Sequence, residues 1–488
     1  MRLNAFLCFF FLPFALAAQT VLGNYYLKNK PTDFAYKVSR PQKPVKLLFQ
    51  NDSEYEVLCF DSSFATSNSL VYKQVEKNNR FVSSLETDSL LSLYFINIKT
   101  GYFYSLTTRF SDSSFVWKEL FREQDKEHFL KAVPFKNTLC ALSVNEVNNE
   151  MIIKKFNHTR LVSTDTFQIE FPLFMSALKS NLNMLNQEPF SDIGITYVDY
   201  EIEQDISNIY TDRKLYVRDD KLIMTFDQLN TSHLVIIDMA KNKSYYKKFS
   251  FKLELETSAS TTKGNSFLYK DYFFRVTSNG HQLNLAIIDF RNFKLIRNHN
   301  IYDDQPIEIK NGPLMFEEST NGSVPTLEAI KTPEKFFKVV RGADLGVTAR
   351  QMPIGTYELI VGSHMTEVYQ SPALSAPMGM GFGMAGIGFG MGAAVMDPYY
   401  YPYGMGTRSY NVTIQKAYFH SVLTDKEFAH VPLVLQPSYI DRKKAYWKRH
   451  VRMGKMPEIE VEYRWKNKMH YGYWDKKMSK FMLLEFEP

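Results

Sequence analysis

The chain has 488 residues, of which 45% are hydrophobic, 15% aromatic and 23% charged. This composition excludes a disordered or fibrous protein and predicts a large folded core. The formal net charge of +6 is small for a chain of this length, so no strongly acidic or basic protein is indicated.

The N-terminus predicts a secretory signal peptide over residues 1–18. Arg2 precedes an apolar run from Ala5 to Ala18, and Ala15-Leu16-Ala17 supplies the small-x-small pattern that signal peptidase needs. The run is too short to span a membrane, and no later window offers about 18 uninterrupted apolar residues. We therefore expect an exported protein, periplasmic, on the cell surface or secreted, with no transmembrane span in the mature chain. An N-terminal extension follows over residues 19–43.

Two cysteines remain after the signal peptide, Cys59 and Cys140. Each lies in an apolar run that is typical of a strand. In an oxidising compartment they form one possible disulfide, and the alternative is two buried free thiols.

Short apolar runs with period-two alternation, separated by turn clusters, dominate residues 44–364 and predict a mostly all-β fold. One unit ends in Ile236-Ile237-Asp238, and a second unit repeats its order and ends in Ile287-Ile288-Asp289, 51 residues later. Repeats of about 40 to 50 residues with three or four strands are what propeller blades require. We predict a β-propeller-like array of antiparallel blades with a few helical interruptions, at 116–131 and 172–186. Tandem β-sandwiches are the alternative.

The repeated aspartates allow two interpretations. A ring of carboxylates at equivalent blade positions would suit a cation or a sugar. The alternative, which we favour, is that Asp238 and Asp289 accept backbone N–H groups of the following turn, because Asn97 fits that role at a similar position without a charge.

Residues 365–410 form a low-complexity insertion rich in Gly, Met and Tyr. Its glycines match the dinucleotide-binding pattern GxGxxG, but the strand and helix that should flank this pattern are missing. Its methionines could bind Cu(I), but no His or Cys accompanies them in the segment. We therefore predict no cofactor and no metal. Aromatic side chains on a loop held by a rigid scaffold are typical anchors of an interface. The candidate interface residues are Phe382, Phe389, Tyr399, Tyr400, Tyr401 and Tyr403.

The C-terminal part, residues 411–488, predicts strands at 459–465, 470–474 and 481–486 that close the β-domain. It also predicts a basic helix after Pro437, in which cations alternate with Tyr446 and Trp447. Such a pattern occurs in nucleic-acid patches. We favour an ordinary solvated helix face, since an exported protein rarely meets nucleic acid, and we predict no nucleic-acid partner.

Catalytic patterns are not evident. The sequence has no GxSxG elbow, no HExxH motif and no Walker A loop. A glycosidase needs only two carboxylates, for which Asp303-Asp304 or Glu317-Glu318 are candidates. The sequence does not decide whether the protein is an enzyme, and we favour a protein without catalytic activity.

Several of these features together resemble a group of uncharacterised exported, propeller-like proteins of Bacteroidota-type bacteria. They are the strand, Asp and turn order around Asp238 and Asp289, the insertion, the run 418–423 and the run 469–477. The resemblance implies a periplasmic or surface location and no particular activity. We therefore predict an exported, non-catalytic binding or scaffold protein of the bacterial envelope, whose partner is an unknown protein or glycan. The alternative is a hydrolase acting on extracellular glycan or peptide.

Overall fold

The computed structural model shows a ring of β-sheets. It describes residues 19–487 except 33–34, 41–42, 52, 75–77, 125, 173, 180–194, 201, 255–261, 353–354, 371–409, 451–456 and 458. The predicted signal peptide lies outside these residues. Within them, seven sheets follow one another around the ring, so the fold is a β-propeller. The prediction of a propeller is confirmed, and the tandem-sandwich alternative is wrong.

The first three blades each have four strands, in which chain neighbours pair antiparallel. Blade 1 is β2 (Ala35–Lys37), β3 (Lys46–Gln50), β4 (Glu54–Phe60) and β5 (Thr66–Lys73). Blade 2 is β6 (Asn79–Glu86), β7 (Leu90–Asn97), β8 (Tyr102–Arg109) and β9 (Phe115–Arg122). Blade 3 is β10 (Glu127–Phe135), β11 (Thr138–Asn145), β12 (Glu150–Asn157) and β13 (Arg160–Gln168).

Blades 4 and 6 have a fifth strand. Blade 4 is β14 (Thr196–Tyr197), β15 (Arg213–Arg218), β16 (Lys221–Gln228), β17 (Thr231–Asp238) and β18 (Lys243–Ser250), in which β14 pairs parallel with β15. Blade 5 is β19 (Lys263–Tyr269), β20 (Tyr272–Ser278), β21 (Gln282–Asp289) and β22 (Lys294–Tyr302). Blade 6 has the order β24 (Thr326–Ile330), β23 (Leu314–Thr320), β27 (Tyr410–Thr424), β26 (Thr356–Gln370) and β25 (Asp344–Gln351).

Blade 7 joins the two ends of the chain. Its strands are β28 (Glu460–Trp465), β29 (Lys468–Asp475) and β30 (Lys480–Phe486), and β1 (Gln19–Tyr25) pairs antiparallel with β30 as the outermost strand. The three predicted C-terminal strands are therefore confirmed. Because β1 pairs with β30, blade 7 joins strands from both ends of the described chain and closes the ring. Strands of the ring thus also lie outside 44–364, in both flanking regions.

Four helices occur among the described residues: α1 (Phe174–Lys179), α2 (Ile206–Ile209), α3 (Pro333–Gly342) and α4 (Tyr439–His450). The last is the predicted basic helix. Ser438 and Asp441 cap it reciprocally, each side chain accepting the other's backbone N–H at 3.1 and 2.9 Å.

The core lies in apolar layers between neighbouring blades, because a blade's two faces must both be covered. One layer joins blades 7 and 1, others join 1 to 2, 2 to 3 and 3 to 4, and the largest joins blades 4, 5 and 6. The face of blade 7 that remains is covered by α4, through Tyr439, Tyr446 and Trp447.

The repeated Asx positions are turn residues. The Oδ1 atom of Asp238 accepts the backbone N–H of Lys241 at 3.0 Å, and that of Asp289 accepts the N–H of Arg291 at 2.8 Å. Asn97 does the same for Lys99 at 3.1 Å. The turn interpretation is confirmed, since each side chain is used in its own turn.

Two predictions are wrong. The helix expected over 116–131 is replaced by β9 and β10, because pairing within blades 2 and 3 outweighs the helix propensity of its Glu and Lys residues. The possible disulfide is not formed: Cys59 and Cys140 are free and buried. They lie in β4 and β11, in different blades and in different apolar layers, so the alternative of two buried thiols holds. Within the second expected helix, over 172–186, the structure shows α1, and residues 180–186 lie outside the described part.

Candidate functional site

The longest hairpin among the described residues lies in blade 6. β26 and β27 have 15 residues each and stay paired from Thr356 with Thr424 to Gln370 with Tyr410, whereas strands of the other blades have at most nine. Near its base the hairpin is buried, but Val368 towards its far end is 45% exposed. The hairpin therefore extends beyond the packed part of the blade and leads the chain into and out of residues 371–409.

The predicted interface residues fall in that interval and lie outside the described residues. They are Phe382, Phe389, Tyr399, Tyr400, Tyr401 and Tyr403. The structure places the two strands on either side of them, not the residues themselves.

The hairpin is held in place by β23. Gln415 donates a hydrogen bond to the Glu318 carboxylate at 2.8 Å. The Asn321 backbone N–H donates to the Val412 carbonyl oxygen at 2.7 Å, and the Val412 N–H donates to the Asn321 Oδ1 atom at 2.8 Å. β26 approaches β27 closely at Gly362, where an added Cβ would lie 2.7 Å from the Cα atom of Tyr418. Only glycine fits there, so this approach is fixed by the sequence.

Four alternating charges lie about midway along the hairpin, where Lys416 of β27 pairs with His364 of β26. We call Asp205, Glu317, Lys416 and Lys444 the charge ring. The Lys416 ammonium is 2.6 Å from Glu317 and 3.2 Å from Asp205, and the Lys444 ammonium is 2.6 and 3.3 Å from the same two carboxylates. Each cation thus contacts both anions, and the four charges sum to zero. The ring joins β23, β27, the start of α2 and α4.

The electrostatics of the ring favour its charged form. Burial alone would raise the pKa of Asp205, but Lys416, Lys444 and hydrogen bonds from Ser207 hold this pKa well below its usual range. Burial would likewise lower the pKa of Lys444, but Asp205 and Glu317 hold it well above its usual range. Both shifts favour the ionised forms of Asp205 and Lys444, because each group lies between two opposite charges.

Asp205 reaches the ring because the connection between β14 and β15, both strands of blade 4, extends to blade 6. Asp205 caps α2 by accepting the Ser207 N–H at 2.9 Å, and Ile206 packs onto β25 at Gly346. Farther on, the Tyr210 ring stacks on His364 of β26 at a centroid distance of 4.0 Å. Burial lowers the pKa of His364 to about 4, so it is neutral at pH 7.

A second charged group lies beside the ring. Arg350 of β25 donates to Glu203 at 3.0 Å and to Glu358 at 2.6 Å, and the His420 Nδ1 atom is 2.7 Å from the other oxygen of Glu358. Burial raises the pKa of Glu203, an effect that Arg350 opposes. These contacts hold the connection between β14 and β15 against β25, β26 and β27. Both carboxylates are therefore engaged in holding the base of the hairpin.

A third buried group joins blades 4 and 5. Asp227 accepts from Arg275 and from the Ser266 N–H, both at 2.8 Å, and Lys214 donates to Asn265 at 2.9 Å. Burial lowers the pKa of Lys214 to about 8. A cavity of about 140 Å³ adjoins Asp227; its lining residues are Ser176, Ala177, Asp212, Arg213, Phe226, Asp227 and Gln228. That volume is well below the roughly 300 Å³ of a typical ligand pocket.

The carboxylates proposed for a glycosidase contact different groups in the structure. Glu317 faces the charge ring, whereas Glu318 bonds Gln415 along the next position of β23. Asp303 is 2.7 Å from the Nδ1 atom of His281 at the surface of blade 5. Asp304, the remaining candidate, is exposed. Among the described residues, no group of three or more His, Cys, Asp or Glu side chains is placed to hold a metal ion.

The cations of the basic helix are largely used within the protein. Lys444 belongs to the charge ring and Lys443 pairs with Glu462, while Lys448 and Arg449 are exposed. The prediction of a solvated helix face thus fits only its last turn. Sequence reasoning missed the charge ring, for which the one local signal was the N-cap pattern of Asp205 before Ile206.

The part of the chain that the structure describes contains no helix long and apolar enough to cross a bilayer.

Comparisons with known proteins bear on the fold alone. No protein-family model and no curated protein matches the chain. Among solved structures, apo AztD from Citrobacter koseri is 10% identical with a TM-score of 0.27, covering 52% of this chain and 59% of that one. Prolyl oligopeptidase B from Galerina marginata is 9% identical with a TM-score of 0.29, covering 66% and 37%. The Dos1 propeller is 8% identical with a TM-score of 0.29, covering 71% and 84%.

The chain thus spans under two thirds of the length of the first two of these proteins. Identities near 10% and TM-scores this low say nothing about activity or partners. The propeller assignment rests on the seven sheets of this chain, and its function rests on its own residues.

Proposed function

We propose that this protein is an exported binding or scaffold protein of the bacterial envelope, and that the β26–β27 hairpin of blade 6 presents its contact segment to a partner, a protein or glycan. The observation that carries the proposal is the anchoring of the hairpin. The charge ring joins the middle of the hairpin to three other elements, and the far end of the hairpin leads directly into a segment with a cluster of aromatic residues.

Rigid support of this kind favours recognition. A contact segment costs less entropy to dock when its two ends are already fixed side by side. Gln370 and Tyr410 are paired, so the ends of the 39-residue interval 371–409 are held in adjacent strands. Tyr and Phe side chains supply large contact areas at low entropic cost, which suits an interface.

The experiment replaces residues 371–409 by a short Gly-Ser linker and compares two properties with the parent protein. We expect the melting temperature to stay within about 2 °C, because no described core residue is removed. We expect partners that crosslink to the parent protein in intact cells of the native organism to be lost. A variant with Phe115 and Val116 on blade 2 changed to Ser is the matched control for loss of exposed apolar surface elsewhere.

An unchanged set of crosslinked partners would refute the role of the hairpin. Localisation is tested separately by fractionation of the same cells: recovery of the full-length chain, with residues 1–18 uncleaved, in the cytoplasm would refute export. Turnover of an extracellular glycan or peptide by the purified protein would favour the hydrolase instead.

A further inference from the structure

The outer edges of the blades differ in how well they could accept another strand. Five outer strands, β1, β5, β9, β13 and β22, carry an extra residue that breaks the register with their neighbour. Such bulges discourage pairing with a further strand. β24 has a regular register but only five residues, whereas β18 has eight. In the described part of the chain, β18 is the longest regular outer edge.

The outward side of β18 has no backbone partner among the described residues. Its inner side pairs with β17 in continuous register from Thr231 with Ser250 to Asp238 with Lys243. Its contacts elsewhere are made by side chains, such as the Ser244 hydroxyl to the Gln168 oxygen at 2.6 Å and the Tyr246 hydroxyl to His233 at 2.8 Å. The N–H and C=O groups on the outward side therefore form an open ladder.

This edge is also the most positive of the seven. β18 contains Lys243, Lys247 and Lys248 and no acidic residue, a net charge of +3, whereas the other outer strands range from −1 to +2. All three lysines are exposed, and none is ion-paired with a described carboxylate. The Lys247 ammonium lies over the Phe293 ring at 5.4 Å. Lysines on an edge repel a second copy of the same strand and leave it open to an acidic one.

Strand geometry sets the pattern of the partner. Lys243, Tyr245 and Lys247 alternate along one face, about 6.6 Å apart. Tyr245 is 41% exposed. An added strand would place acidic side chains beside the two lysines and an apolar side chain beside Tyr245, and opposite charges on neighbouring strands stabilise pairing.

We propose that β18 binds an extended acidic peptide segment by strand addition to the outer edge of blade 4. The open ladder supplies main-chain hydrogen bonds, and the lysines supply selectivity. An anionic glycan would use the charges but not the regular row of N–H and C=O groups, so the peptide accounts for more of what the edge offers. This site lies on a different blade from the hairpin of the proposed function and does not depend on it.

The test uses the full chain and a fluorescent, end-blocked seven-residue peptide with Thr at four positions on one face and Glu, Val and Glu on the other. We expect binding in fluorescence anisotropy, weakened about tenfold or more in a Lys243→Glu/Lys247→Glu variant, because two attractive pairs become repulsive. The matched control, Lys118→Glu/Arg122→Glu on β9, changes the charge equally and should bind within about twofold of the parent protein.

Two further peptides separate strand addition from simple charge attraction on the unaltered protein. Each carries N-methyl groups on alternate amides, so that one blocks the face towards β18 and the other the face away from it. The peptide methylated on the amides that face β18 should bind at least about tenfold more weakly, and the peptide methylated on the opposite amides should retain its affinity. These peptides keep the test valid if the lysine variant fails to fold.

Three results would overturn the proposal. The first is that the unmethylated peptide does not bind at millimolar concentration. The second is that both methylated peptides bind equally. The third is that a linear polyuronate binds instead of the peptide and that the lysine changes weaken its binding.

Discussion

Replacing Lys444 by Met tests whether the charge ring stabilises the middle of the blade 6 hairpin. Methionine keeps most of the side-chain volume and removes the charge, leaving Asp205 and Glu317 with only Lys416. Removing one partner of a buried ion pair costs about 3–5 kcal/mol. The side chains of Lys444 and Asp205 are 16% and 19% exposed, so we expect the lower end, about 3 kcal/mol in the free energy of unfolding.

The cost should fall when the charges are balanced again. In Lys444→Met/Glu317→Gln one cation and one anion remain, and we expect the double variant to recover about 1–2 kcal/mol of the loss. Lys448→Met, an exposed position on the same helix, is the control and should change the free energy of unfolding by under about 0.5 kcal/mol.

The pH dependence has a defined sign. Asp205 has a pKa in the folded protein below its value of about 3.9 in the unfolded chain, so its contribution is present above about pH 4 and is lost as pH falls through the folded pKa. Without Lys444 this pKa rises towards its usual value. The difference in stability between parent and variant should therefore narrow as pH falls below about 4.

Urea denaturation followed by tryptophan fluorescence at several pH values measures all three variants, with linear extrapolation to water. A loss below about 1 kcal/mol for Lys444→Met, with no recovery in the double variant, would show that solvent screens the ring and would refute the reasoning.

Three further outcomes are expected. Deleting residues 481–488 should abolish the cooperative melt, because β30 pairs with both β1 and β29. Deleting the outer strand at 19–25 should lower the melting temperature but keep a cooperative transition. A melt like that of the parent protein after the first deletion would show that blade 7 is an appendage. Gly362→Val should destabilise by about 3 kcal/mol or more in the same urea assay, since its Cβ overlaps the neighbouring strand; a near-neutral effect would mean that β26 and β27 move apart freely. Cys59 and Cys140 should react with a thiol reagent only on unfolding, because burial raises the pKa of both and that of Cys140 to about 11; fast labelling by mass spectrometry at pH 8 would contradict this.

The sequence determined what depends on neighbours along the chain. The strand, Asp and turn order at Asp238 and Asp289 is local, because an Asx side chain reaches only the next few N–H groups, and so it was predicted correctly. The helix at 439–450 likewise has its cap, Ser438 and Asp441, within one turn. A repeat of about 50 residues was then enough to predict a propeller, because one blade cannot bury both of its faces without neighbouring blades.

Tertiary structure decided what depends on distant residues. Asp205 and Lys416 are 211 positions apart, and each reads as an ordinary surface charge until the chain crosses between blades and buries them together. The segment 116–131 has the residue types of a helix, but the blades on either side impose strands on it. The bulges that leave β18 as the regular edge are likewise set by pairing rather than by composition. Local pattern fixes the units of this ring, whereas packing between the units fixes which charges are buried and which edge stays open.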